Sequence, residues 1–220
     1  MKDKLANLKV VTLAALIVLG FGIQHGKAHA AGTEVLTVAG GCFWCVEADF
    51  EKVAGVKEVV SGYTGGTVEN PTYKQVVRGG TGHYEAVQIM YDPADVSARE
   101  LYDLFFRSVD PTDAGGQFCD RGDSYRTAIF VSDSAQKADA KAAKAEAAKA
   151  LSQNIVTPIL DASPFYKADA YHQDYYKGEK LILTRFGPKS QAAAYKRYRD
   201  ACGRDKRVRD LWGDAAPFVN

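Results

Sequence analysis

Cysteine is scarce. The chain has four in 220 residues, at Cys42, Cys45, Cys119 and Cys202, too few for a small disulfide-stapled fold. An excess of charge is missing as well: 28 Lys and Arg stand against 27 Asp and Glu, a net charge of +1. That excludes the strongly basic footprint of non-specific nucleic-acid binding. Beyond residue 30 no run is apolar enough to cross a bilayer. No glycine-rich phosphate cradle is present, because Gly62 to Gly66 lacks a following Lys and the spacing of a dinucleotide fingerprint. Internal repeats are absent. What remains, 46% hydrophobic and 25% charged residues, is globular composition. The length suits one domain with a sizeable core.

Residues 1–30 read as a signal rather than as fold. Lys2, Lys4 and Lys9 give a basic start, Val10 to Ile23 a short apolar run, and Ala28-His29-Ala30 a small-residue cleavage site before Ala31. An uncleaved anchor is the competing reading, and the run is short for a span. The expected mature protein is therefore one catalytic domain, 31–220, exported to a periplasm or secreted. Export places the four cysteines where disulfides form and persist.

Along the mature chain, Glu34–Ala39 reads as a strand closed by Gly40-Gly41. Val46, Phe50 and Val53 set a helical period that starts at or just after Cys42. Val56–Tyr63, His83–Tyr91, Tyr125–Val131 and Ile155–Leu160 read as strands. Pro71 sits near the first turn of a short helix, and Ser97 with Glu100 makes a capping box for another. Ser134–Gln153, rich in Ala and Lys, reads as a solvated surface helix. Ser190–Cys202 looks helical, and Val208–Asn220 has no clear period. Short connections among alternating elements predict an α+β fold, a two-layer sandwich.

The sharpest local feature is Gly40-Gly41-Cys42-Phe43-Trp44-Cys45, set between a strand and a helix. A thiol at a helix start faces unpaired N–H groups and the positive end of the dipole, which favour thiolate. Phe43 and Trp44 offer an apolar surface beside it; two adjacent aromatics at a turn do not both face a core easily. Cys42-x-x-Cys45 has redox spacing and is also half a zinc site. Zinc needs two further ligands, and Cys119, Cys202, His83 and His172 supply no second close pair. No metal is expected.

Taken in order, Gly41-Cys42-Phe43-Trp44, Asn70-Pro71-Thr72-Tyr73, Gly82-His83-x-Glu85, Asp110-Pro111-Thr112, Asp120-x-Gly122-x-x-Tyr125-Arg126 and Tyr171-His172-Gln173-Asp174-Tyr175 resemble the A-type peptide methionine sulfoxide reductases over roughly residues 35–176. The resemblance implies a two-layer α/β sandwich with a mixed sheet, a ferredoxin-like core and an irregular C-terminal segment, 190–220. It implies thiol-dependent reduction of methionine S-sulfoxide, free or in proteins, for repair under oxidative stress. Cys42 would attack the sulfoxide sulfur, Glu85 would be the acid, and Tyr73 and Tyr125 would donate hydroxyl hydrogen bonds to the oxygen. Burial would raise the Glu85 pKa. Phe43 and Trp44 would receive the S-methyl group, and Asp120 would hold substrate backbone or a water. The product on Cys42 is a sulfenic acid, which a second thiol condenses to a disulfide. Cys202 resembles the mobile resolving position; Cys45, where many members have Gly, and Cys119 are alternatives. A thioredoxin-like dithiol would reduce the disulfide. No cofactor is bound, and a monomer is expected.

Two other classes compete. A thiol–disulfide oxidoreductase using Cys42-x-x-Cys45 gives Glu85, Tyr73 and Tyr125 no task. A peptide-binding module gives Cys42 no reason to sit at a helix start.

Overall fold

The computed structural model describes residues 32–184 and 187–219. The expected signal segment, 1–30, lies outside them. Strand β1 (Glu34–Gly40) ends in a turn at Gly41, whose φ is +81°; a Cβ there would meet Gln117 Cβ at 2.6 Å. Glycine is thus required by both backbone and space. Helix α1 (Phe43–Phe50) follows, with Cys42 as N-cap. Then come β2 (Val56–Thr64), α2 (Tyr73–Arg78), β3 (Tyr84–Tyr91) and α3 (Ala98–Ser108). Thr72 with Gln75 caps α2, and Ser97 with Glu100 caps α3. Each pair satisfies orphan N–H donors.

The chain continues through β4 (Gly116–Gln117), β5 (Asp120–Arg121), β6 (Thr127–Val131), α4 (Ser134–Leu151), β7 (Ile159–Asp161) and β8 (Tyr166–Lys167). It ends with β9 (Leu181–Thr184), β10 (Gly187–Ser190), α5 (Gln191–Cys202) and α6 (Arg204–Trp212). The main sheet has the order β7-β6-β1-β3-β2-β8. Its central strands β6-β1-β3-β2 pair antiparallel, with a helix after β1 and after β3, which is the ferredoxin-like arrangement. Pairing of β6 with β7 is parallel, so the sheet is mixed. The main core joins Leu36, Val38, Val87 and Ile89 of the strands to Phe50, Leu101, Phe105 and Phe106 of the helices.

Three sequence readings change. Helix α4 buries a stripe of Gln136, Ala140, Ala143 and Ala147, so only its Lys-rich face is solvated; Ala at i, i+3 and i+7 lets it lie close to the core. The tail is not irregular throughout. Gly203 takes the left-handed conformation that closes α5, and α6 buries Arg204 and Val208 one turn apart. Tyr125 sits in a 3-10 turn, Asp123–Tyr125, and not in the strand that follows.

Candidate active site

The turn after β1 and the first turn of α1 bring Cys42, Phe43 and Trp44 together. Strand β3 supplies Glu85, α2 supplies Tyr73, and the segment from β5 to the 3-10 turn supplies Asp120 and Tyr125. These seven residues, with Tyr198 of α5, line one slot of about 60 Å³. Seven residues predicted to cooperate therefore do meet, across a sequence span from 42 to 125.

Glu85 is 1% exposed. Its Oε2 accepts the Phe43 N–H at 3.1 Å, and its Oε1 is buried with no hydrogen-bond partner within bonding distance among the described residues. Burial pushes the carboxyl up to about 8, with Asp120 and Cys45 adding to the rise. At neutral pH Glu85 is therefore mostly a carboxylic acid, with Tyr125 beside it. Burial also raises the hydroxyls of Tyr73 and Tyr125, which stay protonated as donors.

Cys42 corrects one expectation. Its thiol is raised well above the usual range by burial, by the hydrogen bond to Cys45, and by the nearby Glu85 and Asp120. A short helix dipole does not outweigh burial among acidic neighbours. Cys42 rests as a thiol that donates to Cys45, and that bond holds Cys45 lower.

Phe43 is both slot wall and core. It is 1% exposed and packs on Tyr63, Tyr73 and His172, with centroids 5.9, 6.3 and 5.5 Å away. Trp44 is half-buried, stacked on Tyr175 at 3.7 Å and on His172 at 5.7 Å. His172 is thus a packing residue of an aromatic cage. Glu47 fixes the far side of that cage. Its Oε1 accepts the Asp174 N–H at 2.9 Å, and its Oε2 accepts the Ser61 hydroxyl at 3.1 Å.

Residues 34–213 match the family profile described as peptide methionine sulfoxide reductase. The chain is similar to the peptide methionine sulfoxide reductase MsrA 2 of Caulobacter vibrioides. The two are 47% identical over 208 residues, covering 94% of this chain and 98% of that one. It belongs to the peptide methionine sulfoxide reductase family. Two solved structures share the fold. Mxr1 from Saccharomyces cerevisiae in reduced form has a TM-score of 0.64 at 32% identity, covering 67% of this chain and 86% of that one. Methionine sulfoxide reductase A of Corynebacterium diphtheriae has 0.60 at 31%, covering 66% and 74%. The chain is accordingly an enzyme that reduces methionine sulfoxide, and the reading as a dithiol oxidoreductase is not favoured.

In this reductase the cysteines divide into two pairs. Cys42 and Cys45 are buried thiols. Cys119 and Cys202 form a disulfide, bridging a sequence separation of 83. Cys202 is thus joined to Cys119 here, a pairing that leaves Cys42 and Cys45 as thiols. The disulfide borders a groove of about 640 Å³ that also includes Tyr198 and Ala201. Cys45 stands outside the slot lining, packed with Ala48, Tyr175 and Tyr195.

Sequence reasoning missed Tyr198 and a buried ion cluster. Asp49, 0% exposed, receives Arg199 Nη1 at 2.7 Å, and Arg204 Nε lies 3.8 Å from its other oxygen. Arg204 also donates to the carbonyls of Gly40 and Ser108, which fastens the tail to the end of β1. The signal was available: Tyr195, Tyr198, Arg199 and Cys202 recur at i, i+3, i+4 and i+7, one face of a helix.

Proposed function

We propose that this reductase acts on the S epimer of methionine sulfoxide, free or in proteins, with Cys42 as nucleophile and Glu85 as acid. The observation that carries the reading is the Glu85 carboxyl, 1% exposed and lining the same slot as the Cys42 thiol, where burial raises it to about 8. A sulfoxide sulfur becomes electrophilic when its oxygen is protonated or strongly hydrogen-bonded. Glu85 supplies the proton, and Tyr73 and Tyr125 the neighbouring donors. Phe43 and Trp44 take the methyl group, and Asp120 positions the rest of the side chain or a water. One apolar wall and one donor set fix a single hand at sulfur.

The atoms balance without a cofactor. The sulfoxide oxygen and the Cys42 thiol proton end together as Cys42–SOH, and methionine leaves. The Cys202 thiol then displaces that hydroxyl as water, forming a Cys42–Cys202 disulfide. Exchange with Cys119 yields Cys119–Cys202 and returns Cys42 as a thiol, which is the pairing of this structure. A thioredoxin-like dithiol reduces the bond at Cys119, which is exposed. Repair of oxidised protein by a monomer that residues 1–30 direct to export, and that loses them on the way, completes the reading; a mature N-terminus at Ala31 tests the export.

The deciding assay is single-turnover methionine release. The reduced chain, freed of reductant, is mixed with each epimer of a blocked methionine sulfoxide. One methionine per chain from the S epimer, lost in Cys42→Ser, is expected. Release from the R epimer, or release that survives Cys42→Ser, would reject the assignment.

A further inference from the structure

Tyr198 links the catalytic slot to the groove beside the disulfide, for it lines both. Its hydroxyl donates to Asp120 Oδ2, and its ring stands edge-on to Trp44 at 6.3 Å and 84°. Cys202 lies one helical turn further along α5, on the same face. Cys119 is the residue before Asp120. The segments 119–120 and 198–202 are thus joined by two adjacent rungs, one covalent and one hydrogen-bonded. Both disulfide sulfurs lie 3.9 Å from the Asp120 carboxylate, and the Cys119 N–H points to Cys202 Sγ at 3.1 Å. Meanwhile Cys42 and Cys45 are thiols, so the nucleophile is intact although the slot holds only about 60 Å³, room for a few waters.

We propose that Tyr198 is a cap on the substrate slot, held there by the Cys119–Cys202 disulfide, so that sulfoxide enters readily only after that bond is reduced. The inference rests on the methionine sulfoxide reading of the slot. Tyr198 occupies the Asp120 carboxylate, the group assigned to hold substrate, and its ring narrows the slot beside Trp44. With the disulfide formed, the 198–202 turn is pinned beside Asp120, and the hydroxyl returns to the same carboxylate. Reduction removes the covalent rung. The remaining hydrogen bond then competes with substrate for Asp120, and the Tyr198 side chain is free to swing out of the slot while Arg199 keeps α5 on Asp49. No bond other than the disulfide changes: two electrons and two protons come from the external dithiol, which leaves as its own disulfide. A chain that has completed one repair would thus stay closed to a second sulfoxide until its oxidised pair is reduced, even though Cys42 is already a thiol.

The test compares two states of the full chain. One is fully reduced. The other carries Cys119–Cys202 with Cys42 and Cys45 free, as verified by mass mapping. First-turnover release of methionine from blocked L-methionine S-sulfoxide is followed against sulfoxide concentration. The disulfide state is expected to need about tenfold or more sulfoxide for half-maximal release, as for a site open in roughly a tenth of molecules, with the plateau rate changed less. Alkylation of Cys42 by iodoacetamide, read by mass, is expected to slow in parallel. In Tyr198→Ala the two states are expected to coincide in both readouts. Tyr198→Phe, which keeps the ring and loses the hydroxyl, is expected to narrow the gap. Equal sulfoxide dependence and equal alkylation in the two states of the parent chain overturn the proposal, as does a gap that persists undiminished in Tyr198→Ala. Absence of methionine release from the reduced chain overturns the reaction assignment instead, and the alkylation arm then judges the cap by itself.

Discussion

Replacing Glu85 by Gln isolates the proton from the hydrogen bonds. The amide keeps an oxygen for the Phe43 N–H, 3.1 Å from Oε2 in the parent. It still presents an N–H donor where the parent presents O–H, and it cannot deliver a proton. The magnitude follows from burial. At 1% exposure the carboxyl is raised from 4.5 to about 8, so ionising it in the fold costs about 4–5 kcal/mol more than in water. Near pH 7 most chains hold Glu85 as the acid. Loss of that acid is expected to slow first-turnover methionine release by about 10²–10⁴-fold. The pH signs follow. In the parent, release is expected to fall as pH rises through about 8, and that limb is expected to vanish in Glu85→Gln. Stability moves with it: the unfolded carboxyl loses its proton near 4.5 while the folded one keeps it to about 8. Folding is therefore favoured fully below 4.5 and loses up to ~1.4 kcal/mol per pH unit across that window. Urea denaturation at several pH values checks this, and Glu85→Gln is expected to flatten the slope. A variant within threefold of the parent rate, or a parent rate unchanged from pH 7 to 9.5, would refute the assignment of the acid.

Cys202→Ser is expected to release one methionine per chain at the parent rate and then stop under a protein dithiol, because the first step needs only Cys42. Disulfide mapping after that turnover is the check; sustained turnover in the variant would remove Cys202 from the resolving step. Arg199→Ala leaves Asp49 buried at 0% exposure without its 2.7 Å partner. Breaking such a pair costs about 3–5 kcal/mol, so a large drop in the urea midpoint is expected, and a drop under about 1 kcal/mol would show that Arg204 alone compensates.

Much of the slot was legible because its chemistry is carried by short local patterns. A thiol ahead of an apolar helical period, with glycines before it, places Cys42 at a strand-to-helix turn. A β-strand period places Glu85 in β3, one residue after a buried Tyr84. The order of these motifs along the chain carried the resemblance to the family, while the periods by themselves marked an α+β two-layer fold. The Ser97 and Glu100 cap was equally readable, being a contact of residues three apart.

The tertiary structure decided what depends on approach from a distance. The protonation of Cys42 reversed because burial among Glu85, Asp120 and Cys45 outweighs the helix start, and none of those neighbours is fixed by local spacing. The pairing of Cys119 with Cys202 joins residues 83 apart, and four cysteines allow three complete pairings. Tyr198 enters the slot only because α5 folds back over α1, held by Arg199 on Asp49 and by the disulfide. Sequence determined which groups could do the chemistry, since reactivity belongs to residue types at local turns. Packing determined which of them are charged, which are joined and which are open to substrate, since those properties belong to neighbours that only the folded chain brings within a few ångströms.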